Sequence, residues 1–328
     1  METIKPTANL RNIDKLTALW ALSESGLGGI LHTFQIPFSG FFLAAFAILI
    51  IKLIAFYSKN PFQNILKATF LVLLIKAAVS PQSPPFAYLA VAFQGLSGAI
   101  IFKIIPKQAY ATYLHAIFSL METAIQKLLV LWIFLGSSFF QAFDDFSKGI
   151  FKNLNVDISS FSLVIIGFYL LIYFSWATYI GYLSNHLPEN LSKRQFKLEN
   201  DASIAINKIP LKKSSYLKKV GGPLLMILGV YLLALITHSE IFLKSFYRTL
   251  IILFIWWLIN PFLRKGLKWL FDKQRNDYRE DFSNIFSLLS ITKSKIKPAF
   301  AMARKDVKGI KVYKEFVFNL IALSLKDD

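Results

Sequence analysis

Residues 74–95 read "LIKAAVSPQSPPFAYLAVAFQG". Lys76 lies late in one apolar run, three prolines interrupt that run, and a second run follows carrying Gln94. A surface loop explains the prolines but not the hydrophobicity on both sides of them. Composition decides which solvent the chain meets. Of its 328 residues 55% are hydrophobic, 16% aromatic and 17% charged, and the mean hydropathy is +0.50. Soluble domains hold about 45–50% apolar and about 25% charged residues. Apolar runs of roughly 17–25 residues recur, long enough to cross a bilayer as helices, whereas membrane strands would alternate over about ten residues. The expected fold is all-α: a polytopic membrane helical bundle, in which the quoted stretch is helix, rigid outer turn, helix.

Eight spans are predicted, at 16–34, 40–57, 64–80, 86–105, 111–136, 161–184, 222–238 and 245–263. The chain then divides into a six-span bundle (1–184), a basic linker (185–221), two further spans (222–263) and an amphipathic tail (264–328). The linker holds Lys193, Arg194, Lys197, Lys208, Lys212, Lys213, Lys218 and Lys219, which places it in the cytoplasm by the positive-inside rule. Asp144, Asp145 and Asp157 place the segment 137–160 outside. Lys103, Lys107, Lys59 and Arg11 then fall inside and both termini are cytoplasmic, as in a bacterial inner membrane. The start of the chain lacks a short apolar core and a cleavage site, so its first run reads as a retained helix rather than a signal peptide. The formal charge of +18 adds contact with anionic lipid headgroups and gives no comparable sign of nucleic-acid binding.

In the tail, "KGLKWLFDKQRNDYREDFSNIFSLL" (residues 265–289) mixes apolar and charged residues at helical spacing. Pro298 separates it from a second amphipathic segment, "AFAMARKDVKGIKVYKEFVFNLIALSL" (residues 299–325). Two readings fit: a packed cap under the bundle, or a surface for the membrane or for other envelope proteins.

Ionisable groups in the hydrocarbon core are costly and face the bundle interior. Here they are Glu24, Lys52, Lys76, Glu122 and Lys127, joined by Gln94 and Gln126. Lys52 and Lys67 lie near cytoplasmic ends and reach headgroups. Glu24, Gly28 and His32 are spaced by four and share one helix stripe, with a glycine gap between two polar groups. This suits a small ligand, and an equally simple reading has Glu24 pair with Lys76 or Lys127 to lock two helices. His32 and Gln35 sit at the outer end of the first span. Lys76 and Gln94 point beneath the proline turn, with Tyr88 and Phe93 as apolar walls. Ala21, Ser25 and Gly29 repeat every four residues, a small-residue stripe that lets membrane helices or a partner approach closely.

No catalytic signature is visible. GxSxG, Walker A and HExxH patterns are absent, there is no cysteine and only four histidines, so no enzyme, metal or cofactor is expected. The Asp144–Asp145 dyad alone is too few oxygens for magnesium and reads as a solvated loop.

The first span leads into the second through "HTFQIPFSGFF" (residues 32–42), a proline-containing outer loop follows the third span, and six spans leave both ends inside. In these respects residues 1–184 resemble the substrate-binding (S) components of energy-coupling-factor vitamin transporters. The resemblance implies a six-helix bundle that binds a vitamin-like molecule near its outer face. The loops 35–40 and 80–85 would cover the ligand, and a coupling membrane protein and ATPases would be partners. The two extra spans and the tail depart from that family.

The expected function is a non-enzymatic, ligand-binding membrane subunit of a transporter. The ligand is amphipathic, and three interior lysines against two glutamates favour an anion. The alternative is a scaffold of an envelope complex built on a reused bundle, with the last spans and tail as its working part.

Overall fold

The computed structural model describes residues 10–27, 39–80, 83–137, 161–200 and 279–326, with scattered positions between 140 and 148 and between 247 and 254. Gly28, Gly29, His32, Gln35, the span 222–238 and most of the span 245–263 lie outside the described residues. Every described regular element is helical: α1 (Leu10–Leu22) with a π-helical turn (Ser23–Leu27) after it, α2 (Ser39–Tyr57), α3 (Pro61–Val79), α4 (Pro85–Ile104), α5 (Gln108–Leu135), α6 (Phe161–Asn200), α7 (Arg279–Ser294), α8 (Ile296–Asp306) and α9 (Lys311–Leu325). Five of these, α2 to α6, are long and apolar enough to cross a membrane. The chain is therefore an all-helical, multi-pass membrane protein.

Two of the three prolines of the quoted stretch now have their place, and Pro81 lies outside the described residues. Pro84 is the N-cap of α4 and Pro85 its first residue, where a missing N–H costs nothing. On the other side the Ser80 N–H closes on the Lys76 carbonyl at 2.8 Å, ending α3. Pro61 starts α3 in the same way. Gly136, at φ 76°, ends α5 by returning its N–H to Trp132 O at 2.8 Å.

The chain forms two compact units. The first comprises residues 1–120, 176–212 and 277–328. In it α3 packs along α4, and Gly95 makes the approach possible, because a Cβ there would overlap the Thr69 side chain. Gly98 opens a second notch, facing Ile51 and His115, and Gly181 a third against Tyr113. Ala99 is buried beside these, so the small-residue face of α4 is a packing face. The second unit comprises residues 121–175 and 213–276. Within it Asp144 accepts hydrogen bonds from the Ser162 N–H (2.6 Å) and Oγ (2.9 Å), capping the first turn of α6. Asp144 is thus a structural acceptor rather than part of a solvated loop.

Two expectations change in detail. The sixth span does not stop at residue 184: α6 runs through Pro188 to Asn200, supported by the Lys193–Glu189 pair at 2.8 Å and by the contacts of Arg194. The tail forms three helices rather than two, because Pro298 falls in the first turn of α8 and Gly309, at φ 70°, breaks α8 from α9. Those helices are part of the first unit: α7 lies along α1, and α9 contacts it too. Ile285, Ala299, Ala303, Phe318 and Ile321 are buried. Lys15 Nζ donates to the free C-terminal carbonyls of α9, Leu325 O at 3.2 Å and Lys326 O at 3.1 Å. Arg194 bridges Glu315 and Asn319 and lies over the Phe318 ring.

Asp14 is half-buried near the half-buried Lys67–Asp281 pair. Burial raises its pKa above the usual carboxylate range, Lys67 opposes this, and Asp281 adds to it. A raised folded pKa makes ionisation a cost of folding, so stability falls as pH rises through that value. Asp14→Asn should raise the thermal midpoint in detergent at neutral pH, with the gain shrinking as pH falls through the raised value and Asp14 itself takes up a proton. At Gly95, replacement by Ala should destabilise the protein by about 1–3 kcal/mol through overpacking. A Thr69→Gly companion should recover part of that loss, as a double-mutant cycle of unfolding will show.

Candidate functional site: a buried ion pair beside the turn between α3 and α4

The site starts where α1 changes its winding. Ser23 and Ser25 turn their hydroxyls back on the helix, to Trp20 O at 2.8 Å and Ala21 O at 2.5 Å, and the chain widens into a π turn across "SESGL". Single π turns are frequent at functional sites. Glu24 is on this turn, and its Oε2 meets Lys76 Nζ at 2.6 Å. Side-chain exposures are 5% and 1%, so both charges are removed from solvent. Of the pairings open to Glu24, the one with Lys76 forms.

Lys76 is positioned from the other side by the proline turn. Its ammonium lies 5.8 Å from the centroid of the Tyr88 ring, within range of a cation–π contact. Tyr88 OH donates to Ser80 O at 3.2 Å, and the Ser80 and Ser83 hydroxyls are 3.1 Å apart. A carboxylate, an ammonium, an aromatic face and a hydroxyl-bearing turn therefore come together at one end of α1, α3 and α4. The pair carries no net charge. Such a node offers an acceptor and a donor at once, which suits a neutral or zwitterionic polar group better than a simple anion.

Other predicted residues lie elsewhere. Gln94 is buried on α4 and makes no described contact with the pair; its Oε1 has no hydrogen-bond partner. Its backbone oxygen accepts from His115 Nε2 at 3.0 Å, through the notch left by Gly98. Phe93 is exposed on the bundle surface. Glu122 belongs to the second unit, where its Oε2 is buried without a hydrogen-bond partner. Ala21 and Ser25 are buried inside the first unit, so that part of the small-residue stripe packs within the chain. Lys52 does not reach for headgroups: it is buried, donates to Gln108 Oε1 at 2.8 Å and lies near the Phe102 ring.

Sequence reasoning missed a polar seam on α5. Thr112, His115 and Ser119 are fully buried there, beginning from Gln108. His115 Nδ1 has no hydrogen-bond partner. The signal was present: Gln108, Thr112, His115, Ser119, Glu122 and Gln126 recur at alternating steps of four and three along an apolar helix, one face of the 3.6-residue period. Counting charges alone passed over it. Among the described residues no group of His, Asp and Glu is arranged to hold a metal ion.

No protein-family model matches the chain, and no curated protein and no solved structure matches it.

Removing one partner of a buried pair strands the other charge, at about 3–5 kcal/mol, whereas replacing both by apolar residues of similar volume is often neutral. Lys76→Met should therefore lower the thermal midpoint strongly, and Glu24→Leu combined with Lys76→Met should return it close to the parent. Thermal unfolding of the single and double variants in detergent checks this.

Proposed function

We propose that the chain is the ligand-binding membrane subunit of a transporter. It takes a small amphipathic molecule from the outer side and carries out no chemistry on it. The observation that carries this reading is the Glu24–Lys76 pair, set on a π turn and covered by the Ser80–Ser83–Tyr88 turn. A buried pair adds little stability over apolar packing, and its place beside a connecting loop sets a donor and an acceptor where a small ligand can exchange with them. The neutral balance at the pair narrows the ligand to one with both a donor and an acceptor group near an apolar body. The resemblance to energy-coupling-factor S components agrees with this placement. With it come a bacterial inner membrane, cytoplasmic termini, and a coupling membrane protein with ATPases as partners.

A second reading, a scaffold of an envelope complex, is favoured by one specific observation. The tail is built into the first unit through Lys15, Arg194 and the buried faces of α7 and α9, and so is not a detachable appendage. For the same reason, removing the residues after about 190 does not separate the two readings cleanly, since it uncovers the buried face of α1.

Point variants do separate them. The full chain, purified from its own host in mild detergent, should carry a small molecule visible by native mass spectrometry. The Glu24→Leu/Lys76→Met double variant should fold and lose that mass. Recovery with ATPases and a coupling subunit would support uptake. If the parent carries no small molecule and brings down only other envelope proteins, the ligand-binding reading fails and the scaffold stands.

A further inference from the structure

The turn between α8 and α9 is the most exposed apolar feature of the described tail. Gly309 adopts a left-handed conformation, with open space where a Cβ would be, and throws the chain outward. Ile310 follows at 88% exposure and Tyr313 at 67%. Around them Arg304, Lys305, Lys308, Lys311 and Lys314 are exposed, with Asp306 as the one acid in residues 304–314. The projection is held by regular structure rather than frayed. Val307 N–H returns to Ala303 O at 3.1 Å, and Val312 N–H to Gly309 O at 3.1 Å. Phe300 meets Phe316 edge-on at 5.6 Å behind the turn, and Ala303 and Phe318 are buried.

We infer that this turn is a docking element for anionic lipid headgroups. Ile310 and Tyr313 enter the interfacial layer, and the ring of lysines with Arg304 takes the phosphates. A branched aliphatic side chain and a tyrosine inside a basic ring have the two properties such a surface selects, apolar insertion and positive charge. Charge complementarity names the occupant, because a multi-pass membrane protein always has a bilayer beside it. This inference stands apart from the ligand site and survives its failure.

The chain contains no cysteine, so Ile310→Cys carries a single spin label at the turn. The labelled full chain is placed in nanodiscs of phosphatidylcholine alone, or of phosphatidylcholine mixed with phosphatidylglycerol. The accessibility of the label to oxygen and to a water-soluble nickel chelate is then compared. With phosphatidylglycerol the label should become accessible to oxygen and protected from nickel, and added salt should weaken that protection. Lys308→Glu with Lys311→Glu should abolish it while leaving the thermal midpoint unchanged. A label that stays aqueous in both lipids overturns the inference. So does protection that ignores lipid charge and the reversed lysines, and so does protection that appears only when cytoplasmic protein is added, which assigns the turn to an acidic partner.

Discussion

A carboxylate and an ammonium 2.6 Å apart, both almost wholly removed from solvent, set the terms for the first unit. Each ion alone costs several kcal/mol to bury, so neither position tolerates the other's absence. The pair therefore fixes the register of α1 against α3, and the π turn is the backbone change that carries Glu24 there. The proline turn fixes the far side, since Pro84 and Pro85 start α4 where Tyr88 covers Lys76. Helix register, turn geometry and the polar node are one constraint seen from three elements.

The cap formed by α7, α8 and α9 obeys a related rule. A helix end leaves carbonyls unsatisfied, and buried Lys15 satisfies two of them at the end of α9. Arg194, on the extension of α6 past its apolar part, closes the cap from another side. The contacts of Arg194 turn a residue that sequence reasoning placed in a linker into an internal cross-link. Arg304, Lys305, Lys308, Lys311 and Lys314 face outward around the α8–α9 turn, which gives that surface its character.

Much of this was legible from sequence because hydropathy and proline chemistry are local. The start of α4, the ends near residues 57, 79 and 104, and the interior placement of Glu24, Lys76 and Gln94 all follow from runs and breakers, whereas α3 begins at Pro61, three residues before its apolar run. What was not legible depends on pairing across the fold. Lys52 reads as a snorkelling residue until Gln108 is seen opposite it. Asp144 reads as solvated until Ser162 is beside it. His115 reads as one of four scattered histidines until Gly98 is seen to let it reach the Gln94 carbonyl. The extension of α6 beyond residue 184 is not a hydropathy signal at all, because it rests on ion pairs along a polar helix.

The central claim is that Glu24 and Lys76 meet in the membrane as a charged pair. Solid-state NMR of the protein in lipid bilayers, with ¹⁵N in lysine side chains and ¹³C at glutamate Cδ, measures their dipolar coupling directly. The account predicts a strong contact between one Lys Nζ and one Glu Cδ that disappears in Lys76→Met, with the carboxylate shift of an ionised group. A bilayer sample in which no such contact depends on Lys76, or in which that carboxyl is protonated, would contradict it.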